Sequence, residues 1–251
     1  MNLGLKGKKA IVTGSTRGIG RAIVECLVGE DVDVAICARN EAEVKATVTA
    51  LTAKGATVIG QAVDVCDRDT YKNWIEASAN ALGGLDIFVP NATGSGGEGE
   101  EAWINHFQAD VMGTVRGCEI ALPYLKDSGG AIVIISSIAA IETFIAPSAY
   151  NAFKAAIINY SKQLSQKVGT EGIRVNTVSP GPIYHERGAW QSIENDNPEF
   201  YQTTRAQIAL GRMGTPEEVA KAVVFLASPA SSFTSGTNLI VDGGYTQGIQ
   251  Y

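Results

Sequence analysis

Tyr150 and Lys154 stand four residues apart in the stretch SAYNAFKAAI. On an α-helix, residues at that spacing share a face and can touch. A phenol beside an ammonium can move protons. A free tyrosine ionises near pH 10, which makes it a poor base at neutral pH, and lowering that to about 7 takes roughly 4 kcal/mol in favour of the phenolate. One cation about 4 Å away contributes on that order at an effective dielectric of about 20, so Lys154 is a sufficient kind of partner. The same stretch also reads as packing. Ala149, Ala152, Phe153, Ala156, Ile157, Tyr160 and Leu164 recur at helical spacing and form an apolar face directed at a core.

The second stretch with chemical content is TGSTRGIG, residues 13–20. Gly14, Gly18 and Gly20 follow G-x-x-x-G-x-G, a variant of the dinucleotide fingerprint, and no GK[ST] follows that would make it a P-loop. Small residues let the backbone turn tightly and approach a pyrophosphate, whose charge is favoured at a helix N-terminus. Thr16, Arg17 and Ile19 complete the turn. Sites for NAD usually carry an acid about 20 residues further on, at the end of the second strand. Here that strand ends ICARN, with Ala38 and Arg39 at its tip. A carboxylate would repel a 2′-phosphate, whereas Arg39, with Arg17 as a second cation, can pair with one. The charge pattern favours NADP over NAD, the plainer reading of Arg39 being a solvated surface arginine.

These residues need elements to position them. KAIVTG, VDVAICA, TVIGQAV, LDIFVP, GAIVIIS, IRVNTVS and TNLIVDGG are short, β-branched runs bounded by Gly, Asp or Pro, and they read as strands. Several are apolar on both faces, as in a sheet covered on both sides. Helical patterns fall between them at about 18–29, 41–54, 68–82, 102–125 and 148–168, and a further helix begins near Pro216. The alternation predicts an α/β fold, a Rossmann-like doubly wound parallel sheet of about seven strands with helices on both faces. No linker or repeat interrupts it, so residues 1–251 form one domain. Two stretches break the rhythm. Residues 92–101 are Gly-rich and acidic and read as a mobile loop. Residues 184–210 read as a substrate lid carrying Tyr184, Trp190, Phe200 and Tyr201.

Composition excludes several functions. A net charge of −6 with no basic cluster argues against nucleic acid and anionic membranes. No stretch approaches the roughly 18 apolar residues of a membrane span, and the N-terminus lacks a signal-peptide core. Cys26, Cys37, Cys66 and Cys118 are far apart, with no CxxC pair, and read as buried thiols in a reducing cytoplasm. Two histidines, His106 and His185, are too few for a zinc site or a histidine-based triad, and no metal is expected.

Taken together, TGSTRGIG, the ISS before YNAFK, VDV after the third strand, NA after the fourth, SPGPI after the sixth and DGG near the end resemble the short-chain dehydrogenase/reductase family over essentially the whole chain. The resemblance implies that Ser137, 13 residues before Tyr150, polarises a carbonyl, that Tyr150 is the general acid/base and that Lys154 is its partner. It implies that Asp64 and Val65 meet the adenine, that Asn91 borders the cofactor, and that Pro180, Gly181 and Ile183 line the nicotinamide. It implies a secondary alcohol or ketone as the small-molecule substrate, and a homo-oligomer, a tetramer, in which the Tyr150 helix and the preceding long helix pack on a second subunit. A 3-oxoacyl-thioester reductase is the alternative within the family, and a non-catalytic nucleotide-binding regulator the alternative outside it.

Three positions depart from the family pattern. Pro90-Asn91-Ala92-Thr93 stands where NNAG is usual. His185 replaces the threonine that meets the nicotinamide carboxamide. Asp110, in ADVMGT, holds the place of a catalytic Asn whose backbone carbonyl positions a relay water. Asp110 keeps that carbonyl, and its carboxylate adds a charge that can pair with a lysine.

Overall fold

A computed structural model describes residues 2–53, 55–94, 99–143 and 147–249. Seven strands, β1 (Lys9–Thr13), β2 (Asp33–Ala38), β3 (Val58–Ala62), β4 (Ile87–Val89), β5 (Ala131–Ile135), β6 (Arg174–Pro180) and β7 (Asn238–Val241), form one sheet in the order β3-β2-β1-β4-β5-β6-β7. Every pairing is parallel. All seven coincide with apolar runs legible in the sequence. The order reverses between β1 and β4, and in such sheets ligands bind in the crevice beyond the strands' carboxyl ends at that point.

Helices α1 (Gly18–Gly29), α2 (Glu41–Thr52), α3 (Arg68–Leu82), α4 (Gly99–His106), α5 (Gly113–Lys126), α6 (Ala149–Val168), α7 (Ala189–Asp196), α8 (Pro198–Gln207) and α9 (Pro216–Ala227) complete the chain. Side chains alternate across a strand, so neighbouring residues feed opposite cores. Val12 joins Ile23, Leu27, Val219 and Val223 beneath α1 and α9. Ile11 joins Tyr71, Trp74, Ile75, Leu125 and Ile157 beneath α3, α5 and α6.

Four details differ from the sequence reading. Helix α2 ends at Thr52, and Lys54 lies outside the described residues. The acidic end of the supposed 92–101 loop is helical: Glu100 and Glu101 occupy the first turn of α4, where negative charge suits the helix dipole. Residues 95–98 lie outside the described residues. The single helix expected at 102–125 is three pieces, because a π-helical stretch, Phe107–Met112, separates α4 from α5. Residues 184–210, expected as a lid, contain α7 and α8, the second started by Pro198 and by Asn197, whose side chain accepts the Phe200 N–H.

Helix α6 buries Ala149, Ile157 and Leu164 of its expected apolar face but departs from that pattern elsewhere. Ala149, Lys154, Ile157, Ser161, Leu164 and Val168 are buried, while Ala152 and Ala156 are exposed. Lys154 takes an inward position because its ionic partner lies there, and the small alanines fall on the outer face. Among the cysteines, Cys37 and Cys118 are buried free thiols, as expected, and burial pushes Cys37 up to about 12. Cys26 and Cys66 are only half-buried.

Candidate active site

The turn between β1 and α1 is shaped by its glycines. Gly14 and Gly18 have φ of +63° and +54°, a region that disfavours any side chain. A Cβ on Gly20 would overlap the Gly14 carbonyl oxygen. Asn91, just past β4, locks the turn: its Nδ2 donates to the carbonyls of Thr13 and Gly14, each at 3.0 Å. The Asn91 and Ala92 N–H groups donate to Thr13 Oγ1 at 2.9 and 3.0 Å. The N-cap of α1, Arg17, makes no side-chain cap bond. Together these features leave a close, donor-rich backbone surface at a helix N-terminus, which suits a pyrophosphate.

Beside this turn lies a cavity of about 460 Å³, lined by Ile19, Asn91, Thr93, Gly94, His106, Ser137, Tyr150, Lys154, Pro180, Gly181, Ile183, His185 and Trp190 among others. Strand β5 delivers its serines to this cavity. Ser137 Oγ accepts the Ala139 N–H at 3.1 Å, and accepting there leaves its own O–H to donate. Ser136 Oγ donates to the Lys154 carbonyl at 2.8 Å, tying β5 to α6. Ser148 caps α6, its Oγ accepting the Asn151 N–H at 3.3 Å, so the helix starts just before Tyr150.

Lys154 Nζ lies 5.5 Å from the centroid of the Tyr150 ring and donates to the Ile135 carbonyl at 3.0 Å. Its ionic partner is Asp110 Oδ1 at 2.9 Å, with 4% of the lysine side chain and none of the aspartate side chain exposed. Asp110 sits on the π-helical turn. Its Oδ1 also accepts from Thr93 Oγ1 at 2.7 Å. Its Oδ2 accepts the Gly94 N–H at 3.1 Å and lies 2.7 Å from His106 Nδ1. Burial alone would push the Asp110 carboxyl up, but Lys154 and the bonds from His106, Thr93 and Lys154 outweigh it and hold it below the usual carboxylate range. Burial alone would lower the Lys154 ammonium, but the Asp110 charge and then Tyr150 hold it above its ordinary value.

A family model described as enoyl-(acyl carrier protein) reductase matches residues 14–246. Isoepoxydon dehydrogenase of Penicillium expansum is 40% identical over 100% of this chain and 99% of its own. The 3-oxoacyl-[acyl-carrier-protein] reductase of Chlamydia pneumoniae is 34% identical over 98% of this chain and 100% of its own. The crystal structure of L-sorbose reductase from Gluconobacter frateurii, complexed with NADPH and L-sorbose, superposes with a TM-score of 0.90 at 32% identity, covering 99% of this chain and 100% of that one. The chain belongs to the short-chain dehydrogenase/reductase family. It is an oxidoreductase of the dehydrogenase and reductase type that its relatives' names describe.

The residues that the family pattern singles out do not all meet in one place. Ser137, Tyr150, Lys154, Asn91, Ile19, Pro180, Gly181 and Ile183 border the same cavity. Arg17, Arg39 and Asp64 are exposed, and Val65 is buried and packed toward Gly113. Thr16 has its hydroxyl engaged, donating to Glu43 Oε2 at 3.0 Å, and Glu43 in turn meets Arg187 of the lid at 3.2 Å. Asp110 lies behind Lys154, away from the cavity wall. His185 is placed by the lid against the glycine turn, where a Cβ on Gly18 would come within 2.8 Å of its Nε2. The lid aromatics pack on one another, with Trp190 stacked on Phe200 and Tyr184 edge-on to Tyr201. Sequence reasoning missed His106 and Ser136. His106 had a legible signal: a histidine four residues before an acid on one predicted helix.

Proposed function

We propose that this protein is an NADP(H)-dependent oxidoreductase that interconverts a secondary alcohol and a ketone, with Tyr150 as the general acid/base. The observation that carries the reading is that Ser137, Tyr150 and Lys154 border one cavity beside the glycine turn. The preference for NADP is supported by two exposed cations, Arg17 and Arg39, with no acid at the tip of β2, and by the NADPH in the L-sorbose reductase structure. The bound dinucleotide would supply or accept the hydride, held by the glycine turn and by Pro180, Gly181 and Ile183.

The chain's own residues handle the proton and the oxygen. In reduction, Ser137 donates a hydrogen bond to the carbonyl oxygen, and Tyr150 gives its phenolic proton to the same oxygen as negative charge develops there. Lys154 steadies the phenolate that remains. In the opposite direction Tyr150 takes the alcohol proton. Two of the relatives' names, isoepoxydon dehydrogenase and L-sorbose reductase, favour a small oxygenated substrate. The cavity's polar edge of Ser137, Tyr150, Asn91, Thr93 and His185 fits such a substrate.

The test is a panel of cyclic ketones, ketoses and β-ketoesters with NADPH and NADH, read as kcat/KM. A clear preference for NADPH is expected, and a preference for NADH sinks the cofactor assignment. Replacement of Tyr150 by Phe should cut kcat about 10²–10⁴-fold while NADPH affinity, read by fluorescence, stays near that of the unaltered protein.

A further inference from the structure

Two of the positions at which this chain leaves the usual family pattern are joined to one another. Asp110 and Thr93 are both such positions, and Thr93 Oγ1 donates to Asp110 Oδ1 at 2.7 Å. His106 joins them from the end of α4. Its ring is buried, borders the cavity, and stands edge-on to the Tyr150 ring at 5.7 Å. Its Nδ1 lies 2.7 Å from Asp110 Oδ2, while Asp110 Oδ1 lies 2.9 Å from Lys154 Nζ. The result is an unbroken side-chain path from Lys154 through a carboxylate to an imidazole, in the place where a water relay is the family expectation.

We propose that His106 is a positioning residue that also holds the relay proton: it refills the Tyr150–Lys154 pair after each turnover, with the Asp110 carboxylate carrying the proton between imidazole and ammonium. The proposal rests on the alcohol–ketone reading above. In reduction the Tyr150 O–H bond breaks as the product O–H forms, and the electron pair for the new C–H bond comes from a reduced nicotinamide dinucleotide. The phenolate left behind regains a proton from the Lys154 side. The imidazolium form of His106 gives its Nδ1 proton to the Asp110 carboxylate. The carboxyl so formed hands a proton to the neutral Lys154 amine, and the pair returns to carboxylate and ammonium while His106 is left a neutral imidazole. His106 is reprotonated from solvent through the cavity it borders. One proton enters per turnover and no charge accumulates. Oxidation runs the same path outward.

The groups that face His106 fit this role. On its own helical run the neighbour is Asp110; on α6 the neighbours are Tyr150 and, beyond Asp110, Lys154. The segment after β4 presents Thr93 and Gly94, which do not titrate. His185 borders the same cavity. Histidine is the side-chain type whose charge ordinarily changes between pH 5 and 8, whereas an asparagine carbonyl offers an acceptor alone.

His106→Gln tests the relay, since the amide keeps an N–H donor for Asp110 but cannot hold a proton. The full-length variant and the unaltered protein are compared with NADPH and a ketone that the latter reduces. The variant should match it in melting temperature and NADPH affinity, lose about tenfold or more in kcat, and lose one ionisation from the pH–kcat profile. Added imidazole buffer should restore rate in proportion to its concentration. A folded variant with unchanged kcat and pH profile overturns the proposal.

A second arm needs neither turnover nor that variant. With two histidines in the chain, the imidazole ¹⁵N signals are assigned by His185→Gln, and the His106 titration is followed in the unaltered protein, Asp110→Asn and Tyr150→Phe. Midpoints that move by about half a unit or more in both variants support coupling, and superimposable curves overturn it. An unaltered protein that reduces no ketone counts against the alcohol–ketone reading, while the titration arm still decides whether these groups are coupled.

Discussion

Lys154 is a cation with almost no access to water, and Asp110 is what makes that tolerable. Removing one partner of a buried pair leaves the other charged and desolvated, at a cost of about 3–5 kcal/mol. Asp110→Ala should therefore lose stability of that size in denaturant unfolding at pH 7. The pH dependence follows from the directions of the two shifts. The Asp110 carboxyl is held low in the fold, so its contribution is present above the ordinary carboxyl value of about 3.9 and fades as pH falls through the lowered one. The Lys154 ammonium is held high, so its contribution is complete below about 10.4 and fades as pH rises through the raised value. The gap between Asp110→Ala and the unaltered protein should thus be a plateau across neutral pH that narrows in acid. A gap that widens below pH 4 would contradict this assignment. Tyr150, Lys154 and Ser137 were legible in the sequence because their order and spacing are local. The partner of Lys154 was legible only as a possibility, since 44 residues and two elements separate it from Asp110.

The glycine turn and the helix it opens show what an element contributes. Gly20 lies in α1 against the Gly14 carbonyl and Asn91 Nδ2, so a methyl there must push the turn away from Asn91. Overpacking of this kind costs about 1–3 kcal/mol. Gly20→Ala should weaken NADPH binding severely in a fluorescence titration while far-ultraviolet circular dichroism still reports the helices. Unchanged affinity would show that the turn does not hold the cofactor. The strands and the bounds of α1 and α3 were readable because apolar periodicity and the glycines and acids that bound it are carried by neighbouring residues. The π-helical turn at Phe107–Met112 was not. An apolar pattern reports which face is inward on average, whereas one residue's shift in hydrogen bonding depends on what Asp110 finds on α6 and after β4. The lid helices α7 and α8 were passed over for a related reason: their aromatics pair with one another across the lid rather than along one apolar stripe.

At the scale of the molecule, the outer faces of α4 and α6 and the π-helical turn between them present an aromatic patch. Trp103 and Phe107 are 46% and 40% exposed, and both rings lean on Phe153 of α6 at 5.5 and 5.8 Å. With Ala152 and Ala156 exposed alongside, this face is apolar, and we propose that it packs on a second copy in a homotetramer. Sedimentation at micromolar concentration should find a tetramer, and Trp103→Glu with Phe107→Glu should shift it to smaller species; a monomeric unaltered protein would contradict the assembly. The sequence alone determined the seven-stranded parallel sheet, the glycine turn and the Ser137–Tyr150–Lys154 order, because each rests on patterns within a short span of chain. Only the tertiary structure decided which way α6 faces, that Asp110 meets Lys154 with its carboxylate, and that His106 and Thr93 close the network around it. Those outcomes come from buried charges finding partners across elements, and that requirement is met in space rather than along the chain.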